Sequence, residues 1–375
     1  MSDTSRIPVC ILTSQYFGWG TYGGFGSMSR KLAEMLAGNG WEVEVIVPRR
    51  HEQEPEEIIN EVKVRSFPVT RPEEARRLLR ASPARIFHSQ DPTVLTALAQ
   101  DAHPGRVHIV TCRDPRDRRD WWTEFRFATM RRRILTPLHL LTESGPIVAH
   151  GVRHADAVYV PAHFLRTKVQ RMYGLPEPAG FMPNLIDVPD KIPPKPPVPV
   201  LTFLGRWDKR KRLELFLSLA AEFPLYRFVA AGGGSAAAES GYAEKLRRQF
   251  SGIPNLELPG FINRFTQREK MEALLDETWV LVNTAAREGL PLTFLEAAAH
   301  GCAILSAVNP DDFAERFGVH VKKDDFAGGL RRLLAASPAA SGAAAHAYVR
   351  STYECHEALN AHEEEYHRHA RRKGL

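Results

Sequence analysis

The sequence predicts an α/β protein built as two doubly wound, Rossmann-like domains. Three observations carry that expectation. Short β-rich runs alternate with helical patterns along the whole chain. The runs are nearly continuous in apolar residues, as suits parallel strands covered on both faces. A segment with six prolines, DVPDKIPPKPPVPV at 187–200, divides them into two series. At 375 residues the chain exceeds one typical core and fits two domains of ordinary size.

The first series reads VCILTS (9–14), EVEVIVP (42–48), VKVRSF (62–67), RIFHSQ (85–90), VHIVTC (107–112) and DAVYVP (156–161). The second reads VLTFLGR (200–206), YRFVAAGGG (226–234), LELPGF (256–261), WVLVNTA (279–285) and CAILSAV (302–308). Strands alternating with helical patterns argue for βαβ units. The proline-rich segment stays extended and reads as a linker. The last stretch, about 341–370, is helical but too polar to form a core alone, so it is expected to lie across other structure.

Hydrophobic content of 43% and charged content of 25% are those of a globular protein. The opening MSDTSRIPVC lacks the basic and apolar regions of a signal peptide, and no stretch approaches 18 uninterrupted apolar residues. The cysteines Cys10, Cys112, Cys302 and Cys355 have no metal-ligand spacing. The first three fall in strand-like runs, so buried thiols in a reducing cytoplasm are expected. His150 and His154 are four apart without a third ligand nearby, so no metal site is expected. The formal charge is +6 and the pI about 9.2, a mild arginine-driven excess with no nucleic-acid motif.

Glycines follow the first strand, and a helix is expected over 27–37. Loops there open onto the ligand crevice of an open α/β sheet, and glycines let backbone amides approach an anion. Gly18, Gly20 and Gly23 spell G-x-G-x-x-G, but the run starts late after the strand and ends before the expected helix. No Gly-Lys-Ser/Thr occurs, which removes the P-loop reading.

In FLGRWDKRKRLELFL, Arg206 and Lys211 follow a strand and precede a helix. One fork and one point charge converging at a strand's end suit a diphosphate. With Lys209, Arg210 and Arg212 beside them, a solvated basic loop is the alternative. Glycines at 232–234 open onto the same edge.

REGLPLTFLEAAAHG, at 287–301, sets Glu288 in a loop and Glu296 in the second turn of a helix begun by Pro291 and capped by Gly301. A glycosidase needs carboxyls about 5 to 9.5 Å apart. Eight residues along a helix span about 12 Å, so a hydrolase is disfavoured.

These residues carry a resemblance. The chain resembles the retaining GT-B glycosyltransferases of family four (glycosyl transferases group 1), which use nucleotide-sugar donors. The matches are Gly23 and Gly24, PNLID at 183–187, GRWDKRK at 205–211 and EGLPLTFLEAAAHGCAIL at 288–305. The resemblance implies two Rossmann-like domains facing an interdomain cleft: 1–190 with a returning C-terminal helix about 355–375, and 191–354 for the donor. It implies that Glu288 touches the donor sugar and Glu296 accepts from ribose hydroxyls. Arg206 and Lys211 would hold the diphosphate, helped by Gly205, Gly289, Leu290, Pro291, Leu292 and Thr293, with Gly24 approaching from the other domain. Gly260 and Phe261 would line the base pocket.

One departure stands out. The family commonly has a histidine after the fifth strand, where this chain has VTCRDPRDRRDWW with Arg113 and Asp114. His88, ending the preceding strand, and Arg113 and Asp114 are therefore the acceptor-side candidates, with a structural strand-end role as the other reading of His88. Residues 113–133 hold eight arginines, four acids and Trp121–Trp122. They read as an anionic-acceptor or peripheral-membrane contact, or as a solvated helix partnered by its own acids. The expected activity is metal-independent, retaining transfer of a hexosyl group to a sugar, lipid-linked or small-molecule acceptor, with no cofactor. The alternatives are a nucleotide-sugar epimerase or phosphorylase, or a sugar-nucleotide-binding protein with impaired catalysis.

Overall fold

The computed structural model describes residues 7–17, 20–21, 23–49, 53–233 and 237–375. Among the described residues the first ten strands are β1 (Val9–Leu12), β2 (Tyr16–Phe17), β3 (Gly20–Thr21), β4 (Val43–Arg49), β5 (Glu56–Ile59), β6 (Val62–Pro68), β7 (Ile86–Ser89), β8 (Val107–Thr111), β9 (Ala157–Val160) and β10 (Gly180–Phe181). After residue 190 come β11 (Val200–Leu204), β12 (Arg227–Ala231), β13 (Leu256–Gly260), β14 (Thr278–Asn283), β15 (Ala303–Ser306) and β16 (Gly318–His320).

The chain divides into two compact units. The first comprises the described residues up to Asp117 with Leu135–Leu185 and Cys355–Leu375. Its sheet runs β10-β9-β8-β7-β1-β4-β6-β5, parallel except for β5. β2 and β3 form a separate two-residue pair. Strands β1, β7 and β8 are buried throughout, β1 wholly apolar and the other two with His88, Ser89, His108 and Thr111 buried among apolar residues. Cys10, Leu12, Ile46 and Phe87 from the strands meet Leu79 and Leu95 from the crossover helices in one core.

The second unit comprises Arg118–Ile134 and Ile186–Glu354. Its six-stranded parallel sheet runs β13-β12-β11-β14-β15-β16. Phe203, Phe216 and Phe228 cluster with Trp207, which is fully buried.

The structure differs from the reading of the sequence in three places. The first unit is not continuous over 1–190: residues 118–134 pack in the second, where arginines of that unit meet their acids. β5 is an antiparallel edge strand whose charged residues hide the pattern; it reaches β6 through a two-residue turn at Asn60 and Glu61, both at positive φ. The helix after the glycine loop starts at Gly24, not at 27, with Gly23 as its cap. All four cysteines are buried. Among the described residues no helix is long and apolar enough to cross a membrane.

Candidate functional site

In the second sheet the strand order reverses between β11 and β14. Open α/β sheets place ligands beyond the carboxyl ends of strands at such a point. The loops leaving those two strands carry Arg206, Lys211 and Glu288.

The loop after β11 is held from beneath. The Gly205 amide donates to Ala231 O at 3.1 Å, and the Trp207 amide to Gly233 O at 3.0 Å. Gly232 makes this approach possible: its φ is +146°, and an added Cβ would lie 1.8 Å from the Gly205 carbonyl oxygen. Arg247 lies over the Trp207 ring at 4.5 Å. Asp208 then folds the loop into a turn, accepting from the Lys211 amide at 3.0 Å and lying 3.3 Å from Arg206. Burial alone would raise its carboxyl, but the charges of Arg206, Arg210 and Lys211 outweigh burial and hold it below the usual range.

The loop after β14 is tied to the first. Thr284 donates to Lys211 O at 2.6 Å, Arg212 to Thr284 O at 2.7 Å, and the Ala286 amide to Arg210 O at 2.9 Å. With both backbones fixed, Lys211 Nζ donates to Glu288 Oε1.

The helix Leu292–Ala299 opens two residues beyond Leu290, capped by Pro291 rather than begun by it. Its first amides, those of Leu292 and Thr293, have no intrahelical acceptor. No acidic residue occupies its first turn, so the positive end of its dipole is left for another anion. Glu296, on this helix, receives Arg264 Nη1 at 2.5 Å through Oε1. Its Oε2 is buried without a partner among the described residues. Gly260, at φ +82°, accepts from the Gly232 amide at 2.8 Å and turns the chain to Phe261, which is 49% exposed.

The first sheet reverses order between β1 and β7, and there the structure builds a buried polar cluster. His88 is fully buried, with Nδ1 2.6 Å from the Tyr366 hydroxyl and Nε2 2.8 Å from Thr111 Oγ1. Arg113 donates through Nε to Gln90 Oε1 at 3.0 Å and through Nη1 to Asn184 of the PNLID segment. His362, on the helix Cys355–Arg372, donates to Pro183 O at 3.2 Å. Burial, with the neighbouring His362 and Arg113 charge, pushes His88 well below its ordinary range; burial pushes Arg113 down to about 10.

His88 and Arg113 are thus interior groups, with His88 joining a strand end to the last helix. Asp114 pairs with Arg116 at 3.2 Å. Gly23 and Gly24 stand at the start of the helix Gly24–Gly38, where an added Cβ on Gly23 would meet Gln15 at 2.9 Å. Gly18 and Gly234 lie outside the described residues.

Sequence reasoning missed Asp208, Arg264, Asp120 and Glu124. Asp208 carried a local signal, an acid three residues before Lys211 that can close a turn. The others meet their partners only through tertiary folding.

Residues 22–189 match the model of Glycosyltransferase Family 4, and residues 198–336 that of Glycosyl transferases group 1. The chain joins two glycosyltransferase domains. No curated protein matches it in sequence. Among solved structures, the glycosyltransferase domains are similar to sucrose-phosphate synthase from Thermosynechococcus elongatus at 16% identity, covering 97% of this chain and 99% of that one, with a TM-score of 0.73. They are similar to Anabaena HepE in complex with UDP-glucose at 12% identity, covering 95% and 98%, with a TM-score of 0.69. WaaG, a glycosyltransferase involved in lipopolysaccharide biosynthesis, aligns at 16% identity over 94% and 98%, with a TM-score of 0.62. The fold of the two glycosyltransferase domains is GT-B.

Proposed function

We propose that the chain moves a sugar, with retention of configuration and without a catalytic metal, from a nucleoside-diphosphate sugar to an acceptor hydroxyl. The acceptor classes are a sugar, a lipid-linked sugar or a small molecule. The observation that carries the reading is the convergence of Arg206, Lys211, Glu288 and an uncompensated helix start where β11 and β14 end.

In the reaction the bond between the anomeric carbon and the diphosphate oxygen breaks through an oxocarbenium-like state. Charge grows on the diphosphate, where the Arg206 fork, the Lys211 ammonium and the amides of Leu292 and Thr293 stabilise it. Lys211 places one N–H on Glu288 and keeps others for phosphate. Glu288 offers its second oxygen to a sugar hydroxyl. The unpartnered Oε2 of Glu296 suits a ribose hydroxyl, while Arg264 keeps the carboxylate oriented. Gly260 and Phe261 flank the base.

Similar proteins were solved with UDP, with UDP-glucose and, for starch synthase IV, with ADP, so UDP-glucose and ADP-glucose are the first donors to test. Product analysis by NMR reads the mechanism directly: an α-linked product from an α-linked donor supports retention, and a β-linked one overturns it. Turnover without acceptor would instead favour an epimerase or hydrolytic reading. Tight nucleotide binding without turnover would favour a binding protein.

Peripheral contact with anionic lipid is part of the same proposal. Met130, Ile134, Leu138 and Leu141 recur along the helix Met130–Ser144 and are 72%, 73%, 57% and 59% exposed. Exposed Trp122 and the arginines Arg118, Arg119 and Arg126 precede them. Co-sedimentation with phosphatidylglycerol vesicles, lost in Leu138→Glu and absent with phosphatidylcholine, is expected. Equal sedimentation of variant and wild type would sink it, as would a dimer that this variant dissolves.

A further inference from the structure

The helix Arg118–Phe127 comes from the first half of the chain but packs in the second unit. Its two carboxylates end on arginines there. Asp120 Oδ1 lies 2.8 Å from Arg287 Nε. Glu124 Oε1 lies 2.5 Å from Arg210 Nη1 and 3.4 Å from Arg287 Nη1, so one oxygen bridges the loops after β11 and β14. Arg287 is only 7% exposed. Each arginine is the chain neighbour of a donor-site group: Arg210 precedes Lys211, and Arg287 precedes Glu288.

We propose that Asp120 and Glu124 are positioning residues for the donor diphosphate site, holding Arg210 and Arg287 so that Lys211 and Glu288 keep their shared geometry. The inference rests on the donor-site reading above.

The reason is the surplus of cations. The two loops carry Arg206, Lys209, Arg210, Lys211, Arg212 and Arg287, against Asp208 and Glu288 from their own sequence; Arg212 is taken by Asp324. A buried guanidinium needs a carboxylate. Without Asp120 and Glu124, Arg287 and Arg210 would turn to the nearest acid or to the donor's phosphates. The acids beside them are Asp208, whose carboxyl already feels the Arg210 charge, and Glu288, next to Arg287 in sequence and already holding Lys211. Lys211 would then lose the partner that aims it, and diphosphate would be held by the wrong cations. The helix thus withdraws Arg210 and Arg287 from the cations that can meet phosphate.

This arrangement separates binding from turnover, which a purely structural contact does not. In Asp120→Asn/Glu124→Gln the two arginines keep their charge and lose their partners. Calorimetry with UDP should show binding two- to fivefold tighter at low salt than wild type, with a steeper decline as salt rises. With UDP-glucose as donor, kcat should fall about tenfold or more, because small misplacements of preorganised groups are expensive in rate. Glu124→Asp should recover part of kcat. UDP affinity and salt dependence equal to wild type in the folded double variant would overturn the proposal. So would a lower melting temperature accompanied by unchanged kcat. Should the double variant not fold, Asp120→Asn, which removes one contact to Arg287, reads the same two quantities. Lys211→Ala is the control. If it leaves UDP binding and turnover untouched, the donor-site reading fails; if it impairs them while the acid variants behave as wild type, only the positioning role fails.

Discussion

Lys211 stands where a strand end, an acid and a proposed leaving group meet, so its replacement reads the chemistry most directly. Lys211→Ala should lower kcat for the donor beyond any rise in KM, by about 2.7 to 4 kcal/mol, or roughly a hundredfold or more. A solvated basic residue would tolerate the change within about 0.5 kcal/mol. Steady-state kinetics on a folded variant decides, and near-wild-type kcat would move the diphosphate site elsewhere. Glu296→Ala should weaken UDP binding by about 1.5 to 3 kcal/mol, the worth of hydrogen bonds to a charged group. Unchanged affinity in calorimetry would remove Glu296 from the ribose. At this scale the cations and the glutamate pair were legible because strand ends, a proline and a glycine fix where they stand in the chain. The partners Arg264, Asp120 and Glu124 were not, since Glu124 lies 86 residues from Arg210 and no local pattern links them. His88 stayed open between two readings for the converse reason: a strand-end histidine faces a crevice unless a distant helix covers it, and Tyr366 is 278 residues away.

The element that most constrains the donor site is the helix Leu292–Ala299 with the turn that ends it. Gly301 adopts φ +71°, and the helix Pro338–Tyr353 crosses that turn so closely that a Cβ on Gly342 would lie 1.9 Å from the Gly301 carbonyl oxygen. Glycine to alanine inside a helix ordinarily gains up to about 1 kcal/mol. Here Gly342→Ala should instead destabilise by about 1 to 3 kcal/mol through overpacking, measured by urea unfolding. A gain would mean that the two elements separate freely. Buried parallel strands such as β1, β8 and β11 were readable because both faces are apolar. β5, charged along an edge, and β16, three residues beginning at Gly318, carry no such signature.

For the whole molecule, pH acts through the histidines inside the first unit. His362 is pushed from its ordinary 6.5 to about 3 by burial and then by Arg113, and His88 is lowered for related reasons. A base whose folded pKa is depressed stays neutral in the native state while the unfolded chain takes up its proton. Stability is therefore full above about pH 6.5 and declines as pH falls toward 3, by about 1.4 kcal/mol per pH unit for each such histidine. Asp91 works against them: burial and then Asp114 push it up to about 7, and its native proton favours the folded state on the acid side. Denaturant midpoints at pH 7, 6 and 5 should fall in that order; a flat series would show that the cluster admits protons without opening. The same cluster has a consequence for synthesis on the ribosome. His88 and Arg113 emerge early, but the helix Cys355–Arg372 that covers them is made near the end. All of Ile186–Glu354 can emerge and form its sheet while the earlier unit still waits for that helix. Through that interval Arg113 and His88 face water, and a nascent chain caught there should bind chaperones through the first unit rather than the second.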